Sequence, residues 1–81
     1  MQKLLRDTNI GKNIQKIRLS KGFTQEQVIN GLQLLGSPII RETYAQIEIG
    51  KGNIFVNDLV AMKIFFHVNF EEFFINISPN R

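Results

Sequence analysis

The chain has 81 residues, a formal net charge of +3, 43% hydrophobic residues, seven phenylalanines and no cysteine. A chain of this length suits one small domain, near the lower end of what an apolar core can stabilise unaided, and the lack of cysteine excludes disulfides and thiolate metal sites. No apolar run approaches the roughly 18 residues that span a bilayer, and the N-terminal residues hold no secretory apolar region; a soluble cytoplasmic protein is expected.

A first helix is predicted from Asn9, a good N-cap, to about Lys21, with Ile10, Ile14 and Ile17 at the spacing of a buried stripe. Gly22 ends it. The start of the second helix is the best-marked boundary. Thr24 is its N-cap, Gln27 three residues on completes a capping box, and Phe23 with Val28 forms a hydrophobic staple. Val28, Ile29, Leu32 and Leu35 give its inner face, and Gly36-Ser37-Pro38 breaks it.

The third helix is predicted to begin between Pro38 and Arg41, with Ser37 as cap and Pro38 at N1 as one start, and to end at Ile49 before Gly50-Lys51-Gly52. Tyr44 and Ile47 face the core, so Arg41, Glu42, Ala45 and Gln46 face outward. A fourth helix follows Asn57 as cap and reaches about Phe66, with Leu59, Met62, Phe65 and Phe66 inside and Val60 and Ile64 on a second apolar stripe. A fifth is predicted from Asn69, with Glu72 at N3 and Val68 stapled to Phe73. No strand pattern is long enough to predict a sheet. The whole chain, 1–81, reads as one all-α domain with its core in 10–74 and loose ends at 1–8 and 76–81.

Charge is unevenly spread: residues 1–22 carry Lys3, Arg6, Lys12, Lys16, Arg18 and Lys21 against Asp7, a balance of +5, and the remainder carries −2. Any one of these lysines can simply solvate a helix face, whereas the set supplies the sequence-independent attraction to phosphate that nucleic-acid binding needs. Catalytic parts are not evident. His67 is the only histidine and suits a helix end, the serines lack a nucleophile-elbow context, and Gly50-Lys51-Gly52 is too short for a P-loop. The chain is therefore expected to be no enzyme and to hold no cofactor or metal.

Several motifs together identify a resemblance: Ile10-Gly11, Ile14, Ile17-Arg18, Gly22 through Val28, Ile47-Glu48, Gly50-Lys51 and Val68 through Phe74. Across about 10–74 the chain resembles the Cro/C1-type (XRE-type) helix-turn-helix DNA-binding domains of phage repressors and bacterial regulators. The resemblance implies a compact five-helix, lambda-repressor-like bundle in which helices 2 and 3 form the motif and helix 3 enters the major groove. By position it places base contacts at Arg41, Glu42 and Gln46 and phosphate contacts at Thr24, Gln25, Thr43, Lys51 and Asn53. Gln25 would also brace a recognition side chain, and Arg18 with Glu48 matches a buried ion pair tying helix 1 to the end of helix 3. Ile29 departs from the family's usual alanine, and the stretch from Leu32 to Ile39 is longer than in the minimal motif.

An arginine at 41 can bind guanine O6 and N7, and a glutamine at 46 can pair with adenine; the duller reading of Arg41 is local pairing with Glu48 or another carboxylate. Val60, Ile64, Phe70, Phe73 and Phe74 exceed what so small an interior can cover, which points to a homodimer interface. The expected function is a sequence-specific transcriptional regulator, of repressor or controller type, on an inverted-repeat operator in double-stranded DNA. No membrane or small-molecule partner is evident. The alternative is a protein-interaction or antitoxin-like module of the same fold with weak or no DNA binding.

Overall fold

A computed structural model of the chain describes residues 3–5 and 8–77. The loose ends expected at 1–8 and 76–81 fall in part on residues outside these, and so do Arg6 and Asp7. The described elements run β1 (Lys3–Leu5), α1 (Thr8–Ser20), α2 (Gln25–Leu34), α3 (Arg41–Glu48), β2 (Ile54–Phe55), α4 (Val56–Phe66) and a 3-10 helix (Phe70–Phe74). α1 packs against α3 and the 3-10 helix, and α2 packs against α3 and α4. Mean hydropathy patterning thus resolves into helix-on-helix packing around one apolar cluster.

Ile10, Ile14, Val28, Leu32, Tyr44, Ile47, Met62, Phe66 and Phe73 are completely or almost completely buried in that cluster, joined by Ile17, Ile29, Ile39, Ile54, Leu59 and Ala61. Two positions set how closely the helices approach. A side chain at Gly11 would meet the Ile47 and Glu48 carbonyl oxygens, so α1 touches the backbone of α3 there; a side chain at Gly31 would meet the Phe65 ring. Phe23 fills the space beside this second contact, its ring centroid 4.9 Å from that of Phe65.

The α2 boundary follows from its capping residues. Thr24 Oγ1 accepts from the Gln27 amide at 3.1 Å, and the Thr24 amide donates to Gln27 Oε1 at 2.9 Å. At the other end of the motif, α3 closes with the Gly50 amide on the Ile47 carbonyl and the Lys51 amide on the Gln46 carbonyl. Gly50 has φ +82°, a conformation that a Cβ would disfavour. His67 closes α4 in the same left-handed region, at φ 58°.

Other boundaries depart from the sequence reading. α1 begins at Thr8, which puts Asn9 inside the first turn. α3 begins at Arg41 after an extended Ile40 with no side-chain cap, because Ser37 is engaged elsewhere: its hydroxyl donates to Asp58 Oδ1 at 2.8 Å and accepts from the Ile39 amide. That buried link draws Asp58 inward, and α4 starts at Val56 directly from β2, so Asn57 is not the cap. Leu35, expected inside, is 45% exposed because α2 ends before it. The predicted fifth α-helix is a single 3-10 segment, and Asn69 makes no side-chain cap bond. β1 and β2 pair antiparallel, Lys3 with Phe55 and Leu5 with Ile54, where no strand was expected; two and three residues are too few to leave an alternating pattern. Among the described residues no helix is long and apolar enough to cross a membrane.

Candidate nucleic-acid interface

The buried faces of α2 and α3 fix which of their side chains remain outside. In α3, Tyr44, Ile47 and Glu48 are buried, and Arg41, Glu42, Thr43 and Gln46 are exposed. An eight-residue helix has too few residues to hold itself in water, so its position depends on these inward contacts. Glu48 supplies a charged one. Arg18 Nε donates to Glu48 Oε2 at 2.7 Å and Arg18 Nη2 to Oε1 at 3.1 Å, a two-point contact between α1 and the end of α3. Arg18 Nη1 also donates to the Phe23 carbonyl at 3.0 Å, which ties in the turn before α2.

Gln25, in the first turn of α2, donates from Nε2 to Glu48 Oε1 at 3.0 Å. One carboxylate therefore joins α1, α2 and α3. Burial raises the Glu48 pKa, but the hydrogen bond from Arg18, the Tyr44 hydroxyl beside the carboxylate, the hydrogen bond from Gln25 and the guanidinium charge outweigh it, and the carboxyl lies below its ordinary range. The same hydrogen bond raises the pKa of Arg18 against the effect of burial. The Tyr44 hydroxyl is buried close to this group without a hydrogen-bond partner, and burial lifts its pKa well above that of a free phenol.

Arg41 sits at the first position of α3 and reaches back across the turn, its Nη2 3.0 Å from Glu26 Oε1 in the first turn of α2. The carboxylate beside Arg41 is thus Glu26, whereas Glu48 is taken by Arg18 and Gln25. Nothing in the sequence separated these two acids as partners; the distinction comes from how the first turns of α2 and α3 meet. Thr24 is exposed with its hydroxyl engaged in the cap, Gln25 is half-buried on Glu48, and Lys51 and Asn53 are exposed on the loop after α3. Arg41, Glu42, Thr43 and Gln46 thus share one exposed stretch of α3. Thr24 caps α2, Gln25 in its first turn reaches Glu48 at the end of α3, and Lys51 and Asn53 lie beyond that end.

The apolar surface divides differently from expectation. Val60, Ile64, Phe70 and Phe74 are between 37% and 50% exposed, whereas Phe73 is wholly buried. Asn13 explains the difference: its side-chain amide donates to the Phe73 carbonyl at 2.9 Å and the Ile75 carbonyl at 2.8 Å, which turns the 3-10 segment so that Phe73 packs on the core. Sequence reasoning had no signal for this polar anchor in α1. Leu34, Leu35 and Ile64, with Phe23 and Phe65, line an apolar groove of about 500 Å³ between α2 and α4.

The expected helix-turn-helix fold is present, with α2 and α3 joined through the turn between them. No family model matches the chain, and no curated protein matches it in sequence. Among solved structures, the chain is similar to the restriction-modification controller protein C.AhdI from Aeromonas hydrophila, with a TM-score of 0.73 over 83% of this chain and 94% of that one, at 18% identity. The likeness is one of fold.

Proposed function

We propose that this protein is a sequence-specific DNA-binding regulator that sets α3 into the major groove of an operator and acts by occupying it. The observation that carries the reading is the division of α3: an inner side held by Tyr44, Ile47 and the Glu48 network, and an outer side presenting Arg41, Glu42, Thr43 and Gln46 to solvent. Such a rigidly mounted helix with exposed polar residues is what groove readout requires. In this reading Arg41, Glu42 and Gln46 meet base edges, and Thr24, Gln25, Thr43, Lys51 and Asn53 meet phosphates on either side. The fold likeness to a restriction-modification controller protein favours a compact regulator.

The active form is a cytoplasmic homodimer joined through Val60, Ile64, Phe70 and Phe74, because an apolar surface of that kind is costly for a monomer to leave in water. A two-fold axis there would set two copies of α3 about 34 Å apart, so the operator is an inverted repeat with half-sites about one helical turn apart. The test is retardation of the DNA upstream of the protein's own reading frame by purified protein at moderate salt. Retardation that survives excess random duplex supports the reading. Binding no tighter than to random duplex would leave the protein-interaction module, with the groove lined by Leu34, Leu35 and Ile64 as its surface.

A further inference from the structure

The Arg41 guanidinium does not stand alone at the front of α3. Glu26 Oε1 lies 3.0 Å from its Nη2, and Glu42 is exposed at the next position. The exposed tips of α2 and α3 thus carry two carboxylates for one guanidinium, in a chain whose net charge is +3. Both acids suit the positive end of a helix, which accounts for their presence in first turns but not for the reach of Arg41 to Glu26 across the motif. The two side chains are 62% and 68% exposed, so water screens the pair and a better partner can displace or share it.

From this geometry we infer that Glu26 is a specificity-determining residue: it occupies Arg41 until a base edge with two acceptors replaces or completes the contact. The inference rests on α3 being the helix that meets DNA. A phosphate offers a single charge that an arginine takes from almost any angle, and every duplex supplies it equally. Guanine O6 and N7 instead present two acceptors in the plane of the guanidinium fork. With Glu26 in place, a passing phosphate must either displace the carboxylate or sit beside its like charge, and is repelled by Glu26 in both cases. A guanine edge meets neither cost in full, because Glu26 can remain on Nη2 while the free edge of the guanidinium pairs with the base. Glu26 thus lowers affinity for all DNA and lowers it least where guanine lies opposite Arg41. A carboxylate held beside the reading arginine makes discrimination partly a matter of rejecting wrong partners.

The test uses full-length wild type, Glu26→Gln, Arg41→Ala and the double variant, titrated by fluorescence anisotropy against a selected operator and a random duplex over a range of salt. Glu26→Gln should bind random duplex more tightly, with the slope of log affinity against log salt steeper by about 0.9, the value of one additional phosphate contact. The ratio of operator to random affinity should fall several-fold. In the Arg41→Ala background the same change should leave that ratio unaltered, which separates a role through Arg41 from a general charge effect or a loss of helix capping. An unchanged ratio and slope in Glu26→Gln, or an equal fall of the ratio in both backgrounds, would overturn the inference while leaving DNA binding intact. A wild type that binds neither duplex would overturn the proposed function, and this inference with it.

Discussion

Glu48 joins three helices, since its two oxygens receive Arg18 from α1 and Gln25 from α2 while it belongs to α3. Replacing it by alanine strands a buried guanidinium, and a cost of about 3–5 kcal/mol is expected as a lowered melting temperature. The pH dependence follows from the direction of its shift. Its folded pKa lies below the unfolded value of about 4.3, so its contribution is complete above that pH and is lost as pH falls through the lower folded value. Thermal denaturation from pH 6 to pH 3 should therefore narrow the gap between wild type and Glu48→Gln as the pH drops; a gap that stays constant or widens would contradict the network. Tyr44→Phe should keep or raise the melting temperature, because it retains the buried ring and removes a hydroxyl without a hydrogen-bond partner.

At the level of elements, the two glycine contacts predict different costs. Gly11→Ala pushes a methyl group onto the α3 carbonyls of Ile47 and Glu48, which cannot move without shifting the helix, so a loss of about 1–3 kcal/mol or more is expected. Gly31→Ala meets first the Phe65 ring, a half-buried side chain on the apolar groove rather than backbone, and should cost less. Chemical denaturation of the two variants ranks them, and the reverse order would mean that α1 and α3 are not held in this close contact. Which elements could be read from sequence follows the same physics. Thr24 with Gln27, Gly22, Gly50 and the isoleucine stripe of α1 act within a turn or two, and they were legible. The start of α4, the inward Asp58, the link from Asn13 to Phe73 and the partner of Arg41 depend on residues 15 to 60 positions apart, and no local pattern encodes them. β1 and β2 were missed because pairing so short leaves no period to detect.

At the scale of the molecule, the exposed residues on α4 and the 3-10 helix predict self-association. Sedimentation should show a dimer at high micromolar concentration, with Ile64→Glu a folded monomer, since Ile64 is half exposed. Phe73→Glu should fail to fold at all, because Phe73 is fully buried within one copy. A wild type that stays monomeric throughout would remove the two-fold geometry and, with it, the inverted-repeat operator. The central claim is that α3 reads sequence while its surroundings hold phosphate, and one measurement separates the two: affinity of Arg41→Ala and Lys51→Ala for an operator and its single-base variants. Arg41→Ala should lose preference at one base position, worth about 1–3 kcal/mol, while Lys51→Ala should weaken binding to every sequence alike and flatten the salt dependence. An Arg41→Ala protein with wild-type affinity and wild-type base preference would show that α3 is not the reading helix.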